Sequence, residues 1–95
     1  MIEVSVQKNG ITVSGHAGYA EKGKDIVCSA VSILEQTLLR SLETLTVDEV
    51  QIARGYGYTD IRFKNLSKEG KLLADSFFVG ISDIAVKYPD FVKIR

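Results

Sequence analysis

Apolar and polar residues alternate over residues 2–7, with Ile2, Val4 and Val6 on one side and Glu3, Ser5 and Gln7 on the other. The same period recurs over 11–16, where Ile11 and Val13 oppose Thr12, Ser14 and His16. A period of two sends successive side chains to opposite faces of a strand, so both stretches read as half-buried strands. Asn9-Gly10 between them predicts a tight hairpin of the type that needs positive φ at both turn positions. On this reading His16 ends the second strand, on its polar face. Residues 17–24 follow neither period and carry Gly18 and Gly23, which predicts a flexible loop.

The spacing then changes to three and four. Val27, Ala30, Val31, Leu34, Leu38, Leu42 and Leu45 mark the apolar face of a helix from about Ile26 to Leu45. Asp25 stands at its natural N-cap position. Residues 47–54 and 56–63 read as a second antiparallel pair that turns near Gly55-Tyr56-Gly57. A second helix follows, with Ser67 as N-cap and Leu73, Phe77, Ile81, Ile84 and Tyr88 as its stripe. Pro89 stops it, because proline disfavours helix in the residue before it. Gly80 within it reads as a point of close helix packing, and Leu72, Leu73, Phe77 and Phe78 as core. Residues 91–95 add a last short strand. The order β-β-α-β-β-α-β predicts an α+β fold, with antiparallel strands packed against two amphipathic helices. The pattern leaves open whether the strands make one sheet or two.

The chain has 95 residues, so 1–95 reads as a single domain. That length supports one hydrophobic core but not a deep enclosed cavity as well. Any active site is therefore expected as a surface groove, or as a site completed by a second subunit. Lys plus Arg and Asp plus Glu both number 12. Phosphate neutralisation supplies most of the affinity of nucleic-acid binders, so this balance argues against direct nucleic-acid contact. No apolar run has the length to span a bilayer. Met1-Ile2-Glu3-Val4 lacks the features of a signal peptide, so the protein is expected to stay in the cytoplasm. The single Cys28 cannot form an internal disulfide, which fits a reducing compartment.

Cys28 falls at about the third helical position, where backbone N–H groups lack intrahelical partners and the helix dipole favours negative charge. That setting suits a nucleophilic thiolate, and the same N–H groups could hold an oxyanion. His16 is the one side chain suited by its ordinary chemistry to proton transfer near neutrality. A strand-loop-helix connection can bring these two residues together as base and nucleophile. Simpler roles stand beside this one. A lone Cys before Ser29, Ala30 and Val31 can be a small core residue, and a lone His at a strand end a surface residue. Asp25 can cap the helix or orient His16 as a third catalytic group. Gly15, Gly18, Tyr19 and Gly23 frame the loop, either as turn chemistry or as the pivots of a lid. A zinc site needs at least three protein ligands, and only Asp25 could join the pair, so no metal is expected.

Gly15-His16-Ala17, then a glycine-bearing loop, then Asp25-Ile26-Val27-Cys28-Ser29-Ala30-Val31-Ser32, resembles the ribosomal-processing cysteine protease family. The family pattern is a Gly-His-Ala step, a mobile loop, and Asp-Ile-Val-Cys-Ala-Ala-Val-Ser opening a helix. This chain departs at Ser29, where the family commonly has Ala. The likeness extends over most of the chain, including the opening hairpin, both helices and Tyr88-Pro89. It implies a cytoplasmic bacterial endopeptidase that removes a short N-terminal extension from a large-subunit ribosomal protein, cutting after an aromatic residue. Carried over by position, Cys28 is the nucleophile, His16 the base and Asp25 an assisting residue. Gly15, Ala17, Gly18, Tyr19 and Gly23 fall in or beside the substrate-covering loop at 17–24. The resemblance also implies a homodimer and no cofactor. Two other readings remain at this point: a non-catalytic binding or assembly module with an inert Cys28, and an RNA-associated factor that acts on ribosomes by contact.

Overall fold

Val4 lies opposite Val13, Val6 opposite Ile11, and Ile11 opposite Ile61, so the alternating residues of three strands fall on one face. The computed structural model describes residues 1–95. Its elements are β1 (Ile2–Gln7), β2 (Gly10–Ser14), α1 (Ile26–Leu45), β3 (Val50–Gly55), β4 (Tyr58–Phe63), α2 (Lys68–Lys87) and β5 (Val92–Ile94). The strands form one sheet in the order β3-β4-β2-β1-β5. Neighbours are antiparallel except β1 and β5, which pair in parallel. The pairings make β2 parallel to β3, and β4 parallel to β5. Each helix is thus the crossover that a parallel connection requires, and this lays β5 parallel to β1 in an otherwise antiparallel sheet.

Both helices press on the apolar face. Ile11, Ile61, Val4 and Val92 from the sheet meet Val27, Val31, Leu42 and Ile81 from the helices, and all are fully buried. No polar side chain is buried with them. The helices touch closely because Gly80 has no side chain: a Cβ there would stand 2.9 Å from Cδ1 of Leu34. Asp25 and Ser67 cap the helices by accepting from the N–H groups of Cys28 and Gly70. Asp48 accepts from the Ser67 N–H at 2.9 Å and its hydroxyl at 2.7 Å, which ties the connection before β3 to the start of α2. Neither helix is long and apolar enough to cross a membrane.

Three expectations are corrected by packing. The first hairpin turns on Lys8 and Asn9, and neither has positive φ. Gly10 instead opens β2, where a Cβ would stand 2.6 Å from the Ile61 carbonyl oxygen, so β4's approach demands the glycine. Leu45 is 68% exposed, since the last turn of α1 runs past the sheet. Leu72 and Phe78 are also exposed, and of that apolar run only Phe77 is fully enclosed, with Leu73 half-buried. The helical period puts 73 and 77 on one face and turns 72 and 78 away from it.

Candidate active site

β2 ends at Ser14, and Gly15 at φ +90° turns the chain out of the sheet. A Cβ at Gly15 would run into the Met1 carbonyl oxygen, so strand and N-terminus meet here at glycine distance. His16 therefore stands exposed in the loop, beyond the strand that the alternating pattern had extended to it. Its carbonyl oxygen accepts from the Met1 ammonium at 2.6 Å. Its ring lies on the β3–β4 turn, 4.9 Å from the Tyr56 ring and tilted by 47°.

Cys28 occupies the third residue of α1, half-buried against the core. His16 and Cys28 line one groove of about 380 Å³, between the first turns of α1 and the sheet. The groove is open to solvent. Val31, Ser32, Glu35 and Gln36 continue the α1 wall, and Arg54, Gly57 and Thr59 form the opposite one. The α1 wall was findable, since residues 32, 35 and 36 share a helix face with 28. The β3–β4 wall was not, because its place depends on a crossover between distant strands.

Asp25 accepts from the Cys28 N–H at 2.9 Å through Oδ1 and from the Tyr19 N–H at 3.1 Å through Oδ2. It makes no hydrogen bond to His16. The expected free N–H of Cys28 is thus occupied by the cap and is not available to an oxyanion in this arrangement. Hydrogen bonds from Cys28 first, and then Tyr19, Ala20 and Val27, hold the Asp25 carboxyl below its ordinary value of 3.8 against opposing desolvation. A lowered folded-state value means that the contribution to stability is present above the unfolded value and disappears as pH falls through the folded one. Acidification below about pH 3.8 is therefore expected to lower the exchange protection of the Tyr19 and Cys28 amides, measured against their intrinsic rates at each pH. Asp25→Asn should abolish that pH response when exchange is followed residue by residue.

The loop 17–24 is held more firmly than its composition suggested. Ala17 is buried, and the Tyr19 ring packs edge-on against Tyr88 at 5.6 Å and Phe91 at 5.2 Å. Tyr19 thus points into an aromatic cluster and not into the groove. Gly18 at φ +67° and Gly23 at φ +90° have open space around them. Of the residues expected beside substrate, Gly15 alone lines the groove with the Cys28 and His16 pair. No group of three or more His, Cys, Asp or Glu side chains has the arrangement of a metal site.

A family model described as Cysteine protease Prp matches residues 1–93. A ribosomal processing cysteine protease Prp of Mycoplasma pneumoniae is 28% identical over 97 residues, covering 100% of this chain and 94% of that protein. Its namesake in Mycoplasma genitalium is 53% identical over 32 residues, an alignment that spans 34% of this chain and 32% of that protein. Among solved structures, an essential ribosomal processing protease Prp from S. aureus, in complex with a covalently linked product peptide, superposes with a TM-score of 0.91 at 22% identity. That match covers 99% of this chain and 95% of the other, and it shows a shared fold.

Proposed function

This chain belongs to the cysteine protease Prp family, and on that premise we propose that it is an endopeptidase that trims a ribosomal protein through Cys28 and His16. The observation that carries the assignment of residues is that the sole cysteine and the sole histidine of the chain line the same groove. The relatives from two Mycoplasma species are named ribosomal processing proteases, which supports a ribosomal protein as substrate. The finer reading is removal of a short N-terminal extension from a large-subunit protein, after an aromatic residue, in the cytoplasm and by a homodimer.

The chemistry follows from the groove. His16 takes the Cys28 proton, and the sulfur attacks the scissile carbonyl carbon. His16 then protonates the leaving amine, and water hydrolyses the thioester. With the Cys28 N–H engaged by Asp25, oxyanion donors come from elsewhere in the groove, where the Ser32 hydroxyl and the Gln36 carboxamide stand on the nucleophile's helix face. Asp25 acts as the cap that fixes where the helix, and so the sulfur, begins.

The test is cleavage of an extended large-subunit ribosomal protein, read by mass spectrometry. One product pair is expected, with the cut after an aromatic residue. Burial of an aromatic side chain is worth roughly 1.5–3 kcal/mol, so its replacement by Ala should lower kcat/KM by about tenfold or more. Equal cleavage of the Ala substrate would remove the aromatic specificity, and no cleavage of either would remove the activity.

A further inference from the structure

We propose that the β3–β4 turn, through Tyr56 and Gly57, is the element that positions the His16 imidazole for catalysis; the inference rests on reading His16 as the base. A base acts well only when its ring is held in one orientation toward the nucleophile, commonly by a third group. Asp25, the residue expected to orient His16, does not fill that role, because its two oxygens are on Tyr19 and Cys28. No protein hydrogen bond orients the ring. Contact with the turn does so instead.

Three observations converge on this turn. The Tyr56 ring packs on the imidazole with centroids 4.9 Å apart. Gly57, at φ +66°, leaves the space that the edge of the imidazole fills: a Cβ there would stand 2.6 Å from Nε2, 3.2 Å from Cε1 and 3.3 Å from Cδ2. The Gly57 carbonyl oxygen also accepts from the Gly15 N–H at 2.8 Å, which fixes the backbone one residue before His16. The turn thus grips both the main chain and the ring of the base. Tyr56 is 95% exposed even with the His16 ring beside it, so nothing in the core calls for an aromatic residue at this position. Tyr56 and Gly57 touch the base and not the reacting atoms, which makes them positioning residues.

Steady-state cleavage of the ribosomal substrate by four variants tests the proposal. Gly57→Asn adds a Cβ while keeping a residue that tolerates positive φ, so it separates crowding of the ring from backbone strain. It is expected to lower kcat by about tenfold to a hundredfold with little change in KM, as a displaced base does. Tyr56→Ala should lower kcat by about fivefold and move the His16 ring-proton resonances as the ring current of Tyr56 disappears. Tyr56→Phe should restore both. Wild-type kcat in Gly57→Asn and Tyr56→Ala, or a loss confined to KM, would overturn the proposal. If Gly57→Asn fails to fold, the Tyr56 pair decides, since that exposed site lies outside the core. His16→Ala is run in parallel. Its inactivity beside active turn variants overturns the positioning role alone, whereas its full activity removes the base assignment on which the role rests.

Discussion

Cys28→Ala is expected to remain folded and to lose all measurable cleavage. The substitution removes one sulfur from a half-buried position at the edge of the core. The space left opens onto the groove, so the cost in stability should be about 1 kcal/mol or less. The N-cap survives, because Asp25 accepts from the backbone N–H of residue 28 and not from its side chain. The loss of the proposed nucleophile is of a different order. Removal of such a residue from a catalytic unit typically costs upwards of roughly 10⁴-fold in kcat. Thermal unfolding and mass spectrometry of the substrate, on the same preparation, separate the two effects. Retained cleavage would move the chemistry off Cys28 altogether.

Gly15→Ala should be damaging to both fold and activity. Gly15 sits at φ +90°, a conformation that costs an alanine about 1–2 kcal/mol. Its new Cβ would also press on the Met1 carbonyl oxygen, a backbone atom that cannot swing aside as a side chain does. Overpacking of this kind adds roughly 1–3 kcal/mol. The sum, about 2–5 kcal/mol, is a large part of the stability of a small domain. Relief by movement of the chain would carry His16, the next residue, out of the groove. Denaturant unfolding should show the midpoint falling with an unchanged slope. Cleavage measured well below that midpoint should still be reduced, because the proposed base is displaced even in folded molecules. A midpoint lowered only by the cost of the positive φ would show that the N-terminal segment moves aside freely.

The elements were legible in the sequence because their periods are clean. Ile2-Val4-Val6 and Ile11-Val13 allow only one buried face, and the Val27 to Leu42 stripe allows only one helix. The bounds of α1 were readable because Asp25 is a capping residue placed directly before the stripe. Local pattern was less informative where a distant backbone decided the geometry. The pattern places Gly10 in the turn, yet its real constraint is the Ile61 carbonyl oxygen of a strand distant in sequence. His16 continued an alternation that the sheet itself had already ended, since Ser14 is the last residue of β2 paired to both β1 and β4. The loop looked free because the rings that hold Tyr19 belong to Tyr88 and Phe91, beyond the reach of any local window. Cys28 and His16 could be picked out because each is the only residue of its kind. The opposite wall of their groove could not, because Gly57 and Thr59 reach it through sheet order alone.

The two oxygens of Asp25 turn the segment from Tyr19 to Cys28 into a ring closed by hydrogen bonds at both ends. With the ring closed, only residues 20–24 lie between its feet, and there the Lys24 N–H donates to the Glu21 carbonyl oxygen at 3.0 Å. Five residues reach about 17 Å when fully extended, and a flap pinned at both feet rises to at most half of that. Small excursions keep the Glu21–Lys24 contacts only when residues 21–24 move as one unit. A wider sweep requires the Asp25 carboxylate to release Tyr19 and the Tyr19 ring to leave Tyr88 and Phe91 together. The carboxylate of Asp25 thus sets the span of this segment as well as the start of α1.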